Sequence, residues 1–152
     1  MQTFLTHWHE DALTVFRVTA KELDWSRLGK QRVEAMQIIN TITRCHDAHS
    51  QNAPAPRAWA NHPAVRMWSK RDELPVLWMY HDAMIQEWID RGYRNNMALM
   101  RGTDQYWFPK TPAWITPELV RSHQSNLIRK KPEHYRRLWP GVPDDLPYIW
   151  PV

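Results

Sequence analysis

The segment between Asp24 and Cys45 carries apolar residues at helical spacing, and this pattern constrains the fold more than any other feature of the chain. The intervals are seven, four and three residues along Leu28, Ala35, Ile39 and Ile42. Such intervals place one apolar stripe along a helix, and Asp24 or Ser26 can cap its first turn. The pattern therefore predicts a long helix that buries one face.

Further helices are predicted over four segments: Glu10 to Leu23, Pro63 to Trp68, Leu74 to Arg91 and Pro117 to Lys130. Gly92 follows the third of these segments, where a left-handed residue is favoured, and Thr116 can cap the fourth. Pro132 ends the fourth and opens a short turn, PEHYRRLW. The alternation typical of strands is almost absent. We therefore predict an all-α fold, with residues 1–152 forming a single compact domain of three long packed helices, short helices and long loops.

Two internal segments and the carboxyl-terminal tail are predicted to lack helix. HSQNAPAPRAWANHP and residues 93–115 are rich in Pro, Asn or Gly and show no periodicity. The tail PGVPDDLPYIWPV contains four prolines, which preclude a helix. We expect its apolar residues to pack back along the body of the protein: Leu146, Tyr148, Ile149 and Trp150.

Composition narrows the class of protein. Hydrophobic residues make up 43% of 152 residues, including 10 Trp, so a folded globule is expected rather than a disordered chain. The single Cys45 excludes a disulfide framework and fits a reducing compartment. Neither a run of about 18 apolar residues nor a signal peptide is recognisable. We therefore expect a cytoplasmic monomer that needs no membrane and no cofactor.

The positive charge of the chain is concentrated near its end. The net charge is +4, yet residues 121–137 alone contain six cations and one acid, Glu133. Phosphate-contacting faces show such concentration, and so do solvated helix faces. Charge alone leaves both interpretations open.

A polar strip borders the apolar stripe of the long helix. Arg27, Lys30, Gln31 and Glu34 stand at positions i, i+3, i+4 and i+7, so they share one helix face. Lys30 and Glu34 could form an exposed ion pair of small energy. Alternatively, Glu34 is a carboxylate held at a cleft by basic neighbours, where it can stabilise positive charge or move a proton.

Four motifs together resemble the pyrimidine-dimer DNA glycosylase family, the endonuclease V-like enzymes. They are LGKQRVEAMQI, NHPAVRMW, WIDRGYRNN and SHQSNLIRKKPEHYRRLWPG. The order of helices and loops is also similar over most of the chain, and the PDDLPYIWPV ending resembles the bacterial and phage branch of the family. The resemblance implies a compact all-α fold with the amino terminus near the helix crossing.

The resemblance also implies a mechanism. Characterised members of the family flip a nucleotide out of the duplex and attack its C1′ with the α-amino group of the chain. An imine forms, the base leaves, and β-elimination then cuts the strand. An α-amine titrates near pH 8, so part of it is unprotonated at neutral pH. A carboxylate can stabilise the sugar cation, and arginines can bind phosphates.

Position by position, the resemblance assigns the catalytic carboxylate to Glu34 and places Arg32 beside it. Lys30 and Gln31 would line the same cleft, with Arg27 around it. The expected phosphate-binding and DNA-contacting groups lie further along the chain: Ser122, His123, Asn126, Arg129, His134, Tyr135, Arg136 and Trp139.

The amino terminus departs from the family pattern. Characterised members begin Met-Thr and use the threonine amine, whereas this chain begins Met1-Gln2-Thr3. Met is seldom removed before a residue as large as Gln, so we expect the amine to be that of Met1. Without amine attack, Glu34 could instead activate a water molecule.

Other constellations allow further interpretations. Asn61, His62 and Arg66 in NHPAVRMW could line the cleft and bind a phosphate at the start of a helix, or Asn61 could only cap that helix. Two clusters contain side chains that can bind zinc: His7, His9, Glu10 and Asp11, and His46, Asp47 and His49. Neither cluster has a recognised metal spacing, so no metal is expected. Trp107 or Trp114 could stack on a base, whereas the other tryptophans are expected in the core.

The sequence therefore predicts an enzyme that acts at the glycosidic bond of damaged or modified pyrimidines in DNA, with Met1 and Glu34 as catalytic residues and AP-lyase activity as a further step. Two alternatives stay open: a glycosidase or modifying enzyme for free pyrimidine nucleotides, and a DNA-binding module without catalysis.

Overall fold

Six helices account for the regular structure of the described residues. The computed structural model describes residues 1–47, 59–69, 73–100 and 110–152. The helices are α1 (Ala12–Glu22), α2 (Trp25–Asp47), α3 (Pro63–Arg66), α4 (Leu74–Asp90), α5 (Pro117–Lys130) and α6 (Pro132–Tyr135). Within these ranges there is no strand beyond one isolated bridge. The all-α prediction is confirmed.

The helix boundaries follow from capping groups that the sequence shows. Asp11 accepts a hydrogen bond from the Thr14 N–H at 2.8 Å at the start of α1. Thr116 does the same for the Leu119 N–H at 3.2 Å at the start of α5. Gly92, after α4, adopts φ +82°, a left-handed conformation that glycine takes at low cost.

The core forms where α4 packs against both α1 and α2. Leu28, Ala35, Ile39 and Ile42 are buried there, as their spacing predicts. Within the described ranges, no helix is both long enough and apolar enough to cross a membrane. Residues 48–58 and 101–109, which include much of both predicted loops and Trp107, lie outside the described part of the chain.

Arg91 joins the ends of two helices. Its guanidinium donates to the backbone oxygens of Leu23, Ala20 and Lys21 at 2.9 to 3.0 Å, at the carboxyl end of α1. Its Nε donates to Glu87 Oε1 at 2.7 Å. A cation at a helix carboxyl terminus also interacts favourably with the helix dipole. The Arg-Gly pair of WIDRGYRNN therefore has a structural role.

We expect Arg91→Ala to lower the free energy of unfolding by about 2 kcal/mol, because it removes charge-assisted hydrogen bonds and leaves terminal carbonyls unpaired. Urea denaturation measures the change. Arg17→Ala is the matched control, because Arg17 is exposed on α1. Equal stability of the two variants would contradict this role for Arg91.

Candidate active site

The chain begins with an extended segment that runs through the interior. Residues 3–6 are buried. The Phe4 N–H donates to Gln31 Oε1 at 2.8 Å, and the Leu5 N–H donates to His123 Nδ1 at 3.0 Å. Helices α2 and α5 thus hold the two middle residues of this segment from different sides.

Hydroxyl groups hold the two ends of the same segment. The Thr6 N–H donates to Thr19 Oγ1 at 3.1 Å, and Trp68 Nε1 donates to Thr3 Oγ1 at 3.0 Å. A chain fixed at residue 3 leaves little freedom for the residues before it, and the half-buried Met1 packs against the core. The position of the amino group is therefore set by the fold.

Gln31 connects this segment with Glu34. Its Nε2 donates to Glu34 Oε2 at 3.1 Å, while its Oε1 accepts from the Phe4 N–H and lies 2.6 Å from the Tyr80 hydroxyl. Gln31 is 1% exposed, so its amide has no competing water. One buried amide thus orients the half-buried Glu34 carboxylate relative to the start of the chain.

His62 lies beside both charged groups. Burial lowers its pKa, the Met1 amino group lowers it further, and Glu34 acts in the opposite direction. Its Nδ1 accepts from the Ala64 N–H at 3.1 Å, so the neutral ring carries its proton on Nε2. The amine, the carboxylate and a neutral imidazole N–H donor therefore share one site.

The carboxyl-terminal tail reaches this site with two aromatic rings. The Trp150 ring lies edge-on to His62, with centroids 6.0 Å apart, and 4.8 Å from the Tyr148 ring. Burial raises the pKa of the Tyr148 hydroxyl, the Gln2 side chain lowers it, and the Glu34 charge raises it. Tyr148 and Trp150 pack back on the body as predicted, whereas Ile149 is exposed.

Comparison with known proteins identifies the family of this chain. The sequence profile of the pyrimidine dimer DNA glycosylases matches residues 1–101. This chain belongs to that family. The match includes Met1, Glu34 and His62, whereas α5, α6 and the tail lie beyond it. No curated protein and no solved structure matches the chain.

The other residues predicted for the site of this pyrimidine dimer DNA glycosylase family member differ in exposure and in their contacts. Lys30 is exposed on the Glu34 face of α2, and Arg27 is half-buried with its Nη1 3.5 Å from Asp24 Oδ2.

Arg66, the last residue of α3, is exposed, and so is Asn61. The interpretation of Asn61 as the cap of α3 is wrong, because the His62 side chain accepts from the Ala64 N–H in that position. The binding of phosphate by Asn61 and Arg66 stays a prediction.

Arg32 lies on a different face of α2 from Glu34, two residues away. Its guanidinium carbon is 3.9 Å from the centroid of the Trp88 ring, and its Nη1 donates to Asn95 Oδ1 at 2.9 Å. The same indole approaches Gly29 so closely that an added Cβ there would lie 3.0 Å from it. The Gly and Arg of LGKQRVE therefore pack against Trp88, and a role of Arg32 in the cleft of Glu34 stays a prediction.

Ser122 and His123 are buried, although phosphate binding is predicted for both. Ser122 Oγ donates to Pro147 O at 2.9 Å and accepts from the Ile149 N–H at 2.8 Å. Burial lowers the pKa of His123 to about 3, and its ring stacks on Tyr148 at 4.8 Å. Both side chains hold other parts of the chain in place, and their contact with phosphate stays a prediction.

Residues predicted further along the chain also divide into buried and exposed groups. Tyr135 is buried, and its hydroxyl donates to Asp24 Oδ2 at 2.6 Å. Arg136 is exposed and pairs with Asp144, and Arg129 donates to Leu146 O at 3.1 Å. The predicted role of these residues in DNA contact is not decided by these bonds.

Of the three remaining residues predicted for DNA contact, His134 and Trp139 have contacts within the protein. The Asn126 Oδ1 is buried without a hydrogen-bond partner in the described part of the chain. His134 Nε2 lies 3.0 Å from Glu22 O, and Trp139 stacks on Tyr135. The aromatic-basic turn thus contributes to the packing of α6.

The buried His123 predicts acid sensitivity. The unfolded chain binds a proton at this residue below about pH 6.5, whereas the folded protein binds it only near pH 3. The unfolded state then holds more protons between these values, so stability is full above about pH 6.5 and falls at lower pH, by up to about 1.4 kcal/mol per pH unit.

We expect His123→Asn to flatten this slope, because Asn can still accept from the Leu5 N–H but does not titrate. Urea unfolding between about pH 4.5 and pH 7 measures the slope. Since burial also lowers the pKa of His62, the difference between wild type and variant is the relevant quantity. Parallel slopes would contradict the assignment.

The histidine-rich segments do not form a metal site in the described residues, where no group of three or more His, Cys, Asp or Glu could hold an ion. Asp11 caps α1, and His9 Nδ1 accepts the Asp11 N–H at 3.0 Å. A cavity of about 610 Å³ next to them is also lined by Trp8 and Lys110, but not by Glu34. The side chains at 46 and 47 and all of residue 49 lie outside the description.

Sequence reasoning missed four neighbours of the site: Gln2, Tyr80, Tyr148 and Trp150. Trp114, a candidate for base stacking, packs edge-on against Trp68 at 4.8 Å instead. A signal for the tail is present in Ser122 and Ser125, which lie one helical turn apart and whose hydroxyls bind the tail backbone. Nothing in the spacing of the tail itself indicates Glu34 as a neighbour.

Proposed function

We propose that this member of the pyrimidine dimer DNA glycosylase family excises a damaged pyrimidine from DNA by attack of the Met1 amine on C1′. The observation that supports the proposal is the joint placement of the Met1 amine, Glu34 and the neutral His62. These groups come from positions 1, 34 and 62 of the chain, and the Gln31 amide joins Glu34 to the amino-terminal segment.

The chemical steps balance with these groups. The amine lone pair forms a bond to C1′ while the glycosidic bond breaks and its electron pair leaves with the base, which takes up a proton. Loss of the amine proton and opening of the sugar ring give the imine. Glu34 stabilises the positive charge that develops on the sugar and carries protons between these groups.

His62 and the surrounding cations have supporting roles. Because His62 is neutral, it adds no positive charge beside the amine, and its Nε2–H can donate to a sugar or phosphate oxygen. Lys30, Arg66 and Asn61 are exposed, and we expect them to bind the phosphates that flank a flipped nucleotide. Strand cleavage by β-elimination follows from the imine as a further step.

Borohydride trapping tests the proposal. Untagged protein, with its amino terminus verified by mass spectrometry, is mixed with duplex DNA that contains either a cyclobutane pyrimidine dimer or an abasic site. We expect cleavage of the glycosidic bond of one dimer base and a reduced covalent adduct at the Met1 nitrogen with both substrates. That base stays joined to its neighbour by the cyclobutane ring, so base release is measured after photoreversal has split the ring. Binding of the dimer duplex without base release or adduct would contradict the proposal and favour a DNA-binding module.

A further inference from the structure

We propose that the Trp150 ring, presented by the carboxyl-terminal tail, forms the wall of the site that contacts the base to be released and stacks on that base, with the Tyr148 ring packed against Trp150. This inference rests on the glycosylase function proposed above. It assigns base selection to a part of the chain that the family match does not include.

The backbone of the tail is held in place by hydrogen bonds to α5, and a surface that binds a base has to be held in place in this way. Ser122 Oγ binds Pro147 O and the Ile149 N–H, and Ser125 Oγ accepts from the Leu146 N–H at 3.1 Å. These bonds secure the backbone on both sides of Tyr148 along α5. A surface ordered in advance loses little conformational entropy when a base binds.

The two rings lie where a base must be. The base is one bond away from C1′, so it occupies the surface next to the amine and Glu34. Tyr148 is close enough to Glu34 for the carboxylate charge to raise its pKa, and Trp150 packs edge-on against His62. Both rings are half-exposed and present a flat apolar surface there.

The Tyr148 ring supports Trp150. It stacks on His123 at 4.8 Å, and its centroid is 4.8 Å from that of Trp150. Its hydroxyl is buried beside the Gln2 side chain, so Tyr148 holds Trp150 in place and the base meets the Trp150 ring.

Two DNA substrates distinguish a loss of base contact from a loss of imine formation. Release of a base from a dimer-containing duplex needs the base wall, whereas imine trapping at a preformed abasic site does not. We expect Trp150→Leu to lower kcat/KM for base release by about 10-fold or more, as loss of one stacking contact implies. Trapping at the abasic site should stay within about threefold of wild type.

Trp150→Phe keeps an aromatic ring of smaller stacking area, so it tests the wall even if Trp150→Leu fails to fold. We expect base release slower than in wild type and faster than in Trp150→Leu, with unchanged trapping. Ile149→Ala is the control, because Ile149 lies between the two rings in sequence and is exposed.

Each outcome decides the inference. Unchanged base release in both variants overturns it, and so does a parallel loss in both assays, which would make the tail a scaffold only. If wild-type protein neither releases the base nor forms an adduct, the proposed function fails and the inference fails with it.

Discussion

Glu34→Gln is expected to slow base release by about 10² to 10⁴-fold while DNA binding stays within about threefold of wild type. Glutamine has the same shape and can still accept the hydrogen bond from Gln31 Nε2. It carries no charge and moves no proton. Single-turnover base release and a binding titration with the dimer duplex, at one fixed salt concentration, measure the two quantities.

The matched control for this substitution is Glu118→Gln, which removes one negative charge from an exposed position on α5. Its activity should equal that of wild type. If Glu34→Gln retained full activity, Glu34 would not be the catalytic carboxylate. An inactive wild type whose DNA binding is unaffected by the substitution would indicate a binding module instead.

Two extra residues before Met1 are expected to abolish imine formation. A Gly-Ser extension moves the terminal amine by up to about 7 Å, and the buried residues 3–6 cannot shift to compensate. Since the amine must reach bonding distance of C1′, we expect the borohydride adduct at an abasic site to fall by at least about 100-fold.

The control is the same protein released from a fusion by a protease that restores Met1 as the first residue. Full recovery of the adduct would assign the effect to the extension. An adduct that persists in the extended protein and maps to Lys30, the exposed lysine on the Glu34 face of α2, would contradict the Met1 assignment and make a lysine the nucleophile.

Features that depend on neighbouring residues could be predicted from the sequence. The caps at Thr116 and Asp24, the left-handed Gly92 and the apolar stripe of α2 all act within one or two helical turns. The long helices therefore begin and end close to the predicted residues. The family resemblance could assign the catalytic carboxylate to Glu34 by its position, because the motif that contains Glu34 lies on one such helix.

Features that depend on distant contacts could not be predicted. The i, i+3 pattern placed Gln31 and Glu34 on one face correctly, but the pattern does not show that Gln31 also binds Phe4 and Tyr80. Arg32 lies two residues from Glu34, so periodicity places it on another face of α2, but periodicity does not show that Arg32 meets Trp88 there. Helical periodicity gives the face of a residue, not the partner that the face meets.

The polar residues of α5 also have partners that could not be predicted from the sequence. Ser122 and His123 have the chemistry of phosphate ligands, and only the folded chain shows that the tail and the Leu5 N–H already use their hydrogen-bonding groups. A proline-rich tail carries no periodicity from which its docking site could be deduced.

The hydrogen bonds of the first residues also set the order of events during synthesis. Phe4 binds Gln31, and Leu5 binds His123, which the ribosome adds far later. Contacts so distant in sequence close large loops and form late in folding. The terminal amine is therefore the first group made and among the last to be positioned, so we expect no imine formation with DNA by a nascent or truncated chain that lacks α5.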